Sequence, residues 1–213
     1  MGPLVFLACL CGEVALPLGV AIQESPGGAI RYFERPYLSE SPLESAVLWR
    51  FLAQHGGHRI KPLYDFAPEW DELNANLDPR ILGGDADRDI SFEDYVANQP
   101  EGRDDQSAEH QTVFICDGYL SCTQCRERLW LGRSLTRGDD HVWYFHAGGA
   151  EDPPNSRSTL LNRALWRFLT MHPMHELVVR VLRDASTSTD YVTIGGTRPG
   201  DRGLADFVGD WVG

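Results

Sequence analysis

The chain has 213 residues, 42% of them hydrophobic and 23% charged, an ordinary globular usage that argues against wholesale disorder and against membrane spanning. A chain of this size, as one domain or two small ones, buries enough surface to fold without disulfide or metal staples. Its net charge of −12 repels phosphate backbones and anionic lipids, so nucleic acid and membranes are not expected partners.

From the N-terminus, Leu4 to Ile22 is largely apolar and poses as a secretory leader, but no Lys or Arg precedes it, and Glu13 and Pro17 interrupt its centre. It reads as the first strands of a folded unit and is expected to stay in the mature protein. Ser41-Pro42 opens a helix that runs to about Gln54 and is closed by Gly56-Gly57. Between Asp71 and Glu109, twelve acids face three arginines, a net −9. The stretch 99–111 at its C-terminal end is polar, acidic and turn-rich, and reads as a linker.

Beyond the linker, Val113-Phe114-Ile115, Arg128-Leu129-Trp130-Leu131 and His141-Val142-Trp143-Tyr144-Phe145 read as three strands joined by hairpins. The apolar positions Leu160, Leu161, Ala164, Leu165, Phe168 and Leu169 then follow helical spacing for about fifteen residues, up to Pro173. Two strands, Leu177 to Leu182 and Tyr191 to Ile194, and a short helix from Leu204 to Trp211 complete the unit.

The second unit repeats the first. Leu48-Trp49-Arg50-Phe51-Leu52 recurs unchanged as Leu165-Trp166-Arg167-Phe168-Leu169, and at the same offset His55 matches His172 and His58 matches His175. Downstream, Leu82-Gly83-Gly84 aligns with Ile194-Gly195-Gly196, Asp89 with Asp201 and Asp94 with Asp206; upstream, Cys11-Gly12-Glu13 aligns with Cys125-Arg126-Glu127. The expectation is an α+β fold: a tandem duplication of a β-β-β-α-β-β unit, with an antiparallel sheet and one main helix per copy. The copies span 1–98 and 112–213, and a pseudo-two-fold axis is expected to relate them.

Five cysteines, an odd number, fit a reducing compartment better than a disulfide framework, so the cytoplasm is the expected location. Cys122-Thr123-Gln124-Cys125 is the only C-x-x-C. That spacing sets two thiolates on one side of a turn, which suits tetrahedral Zn if two further ligands arrive. Cys122, Cys125, His146 and His175 form the candidate metal set, with Cys116 and His141 as other possible donors; the alternative is a pair of semi-buried cysteines in a hairpin. The first copy departs from the pattern, with Cys9 and Cys11 in a C-x-C and Glu34 in place of His146. The histidine pairs could bind metal or converge across the pseudo-two-fold, or could simply cap helix C-termini. Trp49, Phe51, Trp166 and Phe168 read as core, and Arg50 and Arg167 as solvated or paired with the acidic turns. The glycine pairs read as positive-φ turns rather than phosphate cradles.

Two functional expectations follow. The first is a non-enzymatic acidic module, of an inhibitor or immunity type, that binds a basic protein partner through Asp71, Glu72, Asp85, Asp87, Asp89, Glu93, Asp94, Asp104 and Asp105. Its alternative is a Zn-binding protein, possibly an enzyme, that uses the C-x-x-C and nearby histidines of the second repeat.

Overall fold

Strand β1 (Leu4–Cys9) is apolar at every position. A strand of that kind needs cover on both faces, and it receives it. Val5, Leu7 and Cys9 enter the main core. Phe6 and Ala8 enter a smaller one with Leu63, Trp70 and Leu73. The structure, a computed structural model, describes residues 2–25, 28–34, 42–97, 114–136, 142–145, 157–182 and 190–211.

In the first half, β1, β2 (Val14–Gln23) and β3 (Ile30–Glu34) form an antiparallel meander. Helix α1 (Pro42–Gln54) follows, and β4 (Arg59–Tyr64) returns antiparallel beside β1. Helix α2 (Pro68–Leu77) covers the smaller core, where Trp70 stacks on Phe6 at 4.3 Å. Two-residue β5 (Arg80–Ile81) then adds to β2, and α3 (Phe92–Ala97) ends the half.

The second half runs through β6 (Phe114–Cys122), β7 (Glu127–Thr136), β8 (Val142–Phe145), α4 (Arg157–Met171), β9 (Leu177–Leu182), β10 (Val192–Ile194) and α5 (Leu204–Val208). Its pairings follow the same order: β6 with β7, β7 with β8, β6 with β9, and β7 with β10. A short antiparallel contact, Arg59 opposite Val178 and Ile60 opposite Leu177, joins β4 to β9. All ten strands thereby form one sheet.

This is the expected mixed α+β class, with three differences of detail. The sheet is not wholly antiparallel, because β5 and β10 pair parallel to β2 and β7. Helix α2 gives the first half a second sizeable helix, needed because the apolar outer face of β1 and β4 would otherwise meet water. The strand expected at Val113-Phe114-Ile115 continues to Cys122, which carries it into the C-x-x-C turn.

The helices bind the halves together. Val47, Leu48, Phe51 and Leu52 of α1, and Leu161, Ala164, Leu165, Phe168 and Leu169 of α4, are fully buried on one face of each helix. Helix α1 packs on β8 of the other half and α4 on β3. The aromatic contacts match, Trp49 with Phe145 at 6.0 Å and Trp166 with Phe33 at 6.4 Å. Between the helices, Asn162 accepts from Trp49 Nε1 at 3.2 Å and donates to Ser45 Oγ at 3.1 Å. Arg50 and Arg167 differ from expectation. They donate to the Val96 and Val208 carbonyls at 2.8 and 2.6 Å, close to the C-terminal ends of α3 and α5, where a cation also meets the negative end of the helix dipole. Among the described residues no helix is long and apolar enough to cross a membrane.

Candidate metal centre

The site in the second half is built where β6 ends and α4 ends. Cys122 closes β6 and pairs with Leu177 of β9. The chain then turns through Thr123 to Cys125, and Arg126 takes a left-handed conformation (φ 59°) that redirects it into β7. The turn points its amides inward, so that Cys125 N–H donates to Cys122 Sγ at 3.3 Å. Amide donors of this kind stabilise a thiolate.

His172 directly follows the last residue of α4, with its Nδ1 on the Phe168 carbonyl at 2.7 Å. A carbonyl only accepts, so Nδ1 carries the proton and Nε2 is left as the ligating atom. Pro173 stops the helix, and left-handed Met174 (φ 63°) turns the chain back so that His175 faces the same knuckle. Its Nδ1 lies 3.5 Å from Cys122 Sγ and 3.3 Å from Cys125 Sγ. Donor atoms of Cys122, Cys125, His172 and His175 all lie within 4.8 Å of one another. Zinc bonds of about 2.3 Å to sulfur and 2.0–2.1 Å to nitrogen imply a tetrahedral S···N edge of about 3.5 Å, and the His175 distances match it.

The electrostatics are those of a prepared thiolate. Burial pushes the Cys122 thiol up, but hydrogen bonds from His172, from the Cys125 and Gln124 amides and from His175 outweigh it and bring the pKa down to about 6. Burial opposes charge on His172 as well. The Cys122 thiolate, the Phe168 carbonyl and Glu127 nevertheless raise its pKa, with Glu127 3.5 Å from Nε2. Without metal, these contacts favour the charged, thiolate–imidazolium form of the pair. Cys125, exposed, is pushed up to about 11 by burial of its sulfur and by the neighbouring Cys122.

The first half holds a related but unequal cluster. Cys9, Cys11 and His55 present donors within 4.8 Å of one another. His55 Nδ1 lies 2.7 Å from the Phe51 carbonyl, and left-handed Gly57 (φ 79°) follows as Met174 follows His172. Cys11 N–H donates to Cys9 Sγ at 3.4 Å, and Gly12 (φ 83°) occupies the place of Arg126. Here the sulfurs touch at 2.6 Å. Burial and the adjacent Cys11 thiol push Cys9 up to about 12, and burial lowers the pKa of His55. His58 is exposed, with Nδ1 3.5 Å from Cys9 Sγ.

Of the metal set read from the sequence, Cys122, Cys125 and His175 therefore come together, and His146 and His141 lie outside the described residues. The fourth donor is His172, while Cys116 is buried apart from the cluster. The histidine pairs do not converge across the molecule: each joins the cysteines of its own half. Among the acids, Asp71, Glu72, Asp85, Asp87, Glu93 and Asp94 are exposed. Asp89 is engaged internally, accepting from the Ile81 and Ala86 amides at 2.9 and 3.0 Å. Asp201 does the same for Thr193 and Arg198 at 3.1 and 2.9 Å. Ser91 caps the start of α3, its Oγ accepting from the Asp94 amide at 3.0 Å and donating to the Asp94 carboxylate at 2.7 Å. Asp104 and Asp105 lie outside the described residues.

Comparison with protein-family models, with curated proteins and with solved structures returns no match. The functional reading therefore rests on the site's own geometry.

Proposed function

We propose that this chain is a zinc-binding protein whose second half carries a closed, structural Cys2His2 centre of Cys122, Cys125, His172 and His175. The observation that carries the reading is the convergence of four donors, two soft sulfurs and two imidazoles, within 4.8 Å of one another, with His175 at the S···N edge length of a zinc tetrahedron from both sulfurs. Two thiolates and two imidazoles favour zinc over magnesium or calcium, which take oxygen. Four protein donors leave no position for substrate, so the role is to staple β6, β7 and the end of α4 together. Elemental analysis of purified protein tests this. A fall of one zinc ion per chain in the Cys122→Ser/Cys125→Ser variant is the expected result, and wild-type protein that is folded, metal-free and unable to take up zinc would overturn it.

The same reading includes a tandem duplication with a pseudo-two-fold axis. It is supported by the matched strand pairings and by left-handed residues at equivalent turns, Gly12 with Arg126 and Gly57 with Met174. It is also supported by the pairing of Ile60 with Leu177, which are equivalent positions in the repeat and would lie on the axis. Gly57 N–H donates to the Val179 carbonyl and Met174 N–H to the Pro62 carbonyl, both at 2.8 Å, a reciprocal exchange of the kind an isologous contact makes. An experimental structure with the halves related by a rotation far from 180° would contradict it.

Binding of a basic protein partner remains a second reading, favoured by the exposure of Asp71, Glu72, Asp85, Asp87 and Glu93 on the first half. Association that slows with salt and with charge reversal at these positions is its expected signature; an on-rate indifferent to both would remove it.

A further inference from the structure

We propose that Cys9, Cys11 and His55 form a second metal centre whose fourth coordination position is exchangeable, opening on the adjacent cavity and accepting a small anion. The inference rests on the metal-binding reading for its donor chemistry, but on a different set of residues.

Three observations carry it. First, three donors converge in the first half where four converge in the second. A zinc with three protein ligands, such as two cysteines and a histidine, keeps its fourth position for water or an exogenous ligand. Second, the residue that would close the site reaches one sulfur instead of two. His175 Nδ1 lies within 3.5 Å of both sulfurs of its knuckle, whereas exposed His58 contacts Cys9 alone, at 3.5 Å. Third, a cavity of about 370 Å³ adjoins the cluster, with His55 and His58 in its wall.

The rest of that wall describes the ligand. Arg50, Arg80 and Tyr95 line it together with Glu13. Arg50 is anchored by its bond to the Val96 carbonyl, by the Gln54 side-chain oxygen on its Nε and Nη2 and by its place over the Tyr95 ring at 5.1 Å, so it offers the cavity its charge. Two guanidinium groups and a metal cation around a cavity of this size favour a small anion. Glu13 adds an acceptor for a ligand that keeps a proton. To grip a metal, the sulfurs, now 2.6 Å apart, must separate by about 1 Å to reach a tetrahedral S···S edge. Cys11 is exposed and can supply that movement.

The test is titration of the reduced full chain with Co(II), whose visible spectrum reports its ligands, followed by azide as the anion probe. Wild type is expected to take two cobalt ions, and azide to change the spectrum of one of them saturably. Cys11→Ser should lose one ion and the whole azide response. Cys125→Ser should lose the other ion and keep the response, so failure of the second-half site alone remains distinguishable. His58→Ala, at an exposed position, should keep both ions with affinities within about threefold. A chain that binds a single cobalt, lost in Cys125→Ser, would overturn the proposal. So would two ions that are both silent to azide, or a tenfold or greater loss of affinity at the first-half site in His58→Ala, which would make His58 the fourth ligand.

Discussion

Gly12→Ala and Arg126→Gly form a paired test of the two knuckles. Both residues follow the second cysteine of a cluster, and both hold positive φ, 83° and 59°. Adding a Cβ at Gly12 has two costs. The left-handed conformation costs an L-residue roughly 1–2 kcal/mol, and the new atom would clash with Leu77 Cδ1 and fall 2.5 Å from Leu77 Cβ, an overpacking worth roughly 1–3 kcal/mol. Leu77 is 48% exposed and its Cδ1 can swing outward, but its Cβ moves only with the backbone of α2, which favours the upper end. The stiffer unfolded chain returns about 0.4–1 kcal/mol. The net expectation is a loss of about 2–4 kcal/mol. At exposed Arg126 the same conformational strain is removed by Gly, and about 0.5–1 kcal/mol of added chain entropy opposes it, leaving a gain of roughly 0.5–1 kcal/mol. Urea unfolding of both variants beside wild type measures the difference. A neutral or stabilising Gly12→Ala together with a destabilising Arg126→Gly would refute the reasoning.

Three further outcomes are expected. Arg167→Met removes the charge-assisted bond to the Val208 carbonyl and should lower stability by about 2 kcal/mol in the same assay; an unchanged midpoint would dismiss the contact. Asp89→Ala leaves the Ile81 and Ala86 amides without their acceptor and should cost about 1–2 kcal/mol, whereas Asp71→Ala on the exposed face of α2 should fall within about 0.5 kcal/mol of wild type. In metal-free protein the Cys122 pKa is lowered from its ordinary value to about 6, so its contribution to stability is fully present above the unfolded thiol's pKa and is lost as pH falls through about 6. Thiolate absorbance near 240 nm should titrate there and vanish in Cys122→Ser; no thiolate signal below pH 8 would contradict it.

The repeated Leu-Trp-Arg-Phe-Leu block located both main helices, because its apolar spacing and the repeat agree. Helix α2 escaped notice because only Trp70 and Leu73 are buried in it, too few among its acids to outweigh the look of a charged connection. The signal was in the strands instead: Phe6, Ala8, Ala15 and Leu63 form a second apolar face that demands a cover. Strands of two or three residues, as in β5 and β10, leave no periodicity from which to read direction. At the metal centre the C-x-x-C was legible from its spacing. His172 is less legible there, since Pro173 and Met174 part it from His175 along the chain. The left-handed turn at Met174 brings both rings to one side, and the pairing of β6 with β9 brings that turn to the knuckle.

Zinc K-edge X-ray absorption on the reduced Cys9→Ser/Cys11→Ser protein, in which only the second-half site remains, tests the central claim most directly. The account predicts one zinc with two sulfurs at about 2.3 Å and two nitrogens at about 2.0–2.1 Å. Folded protein without zinc, or zinc in a shell of light atoms lacking sulfur, would contradict it.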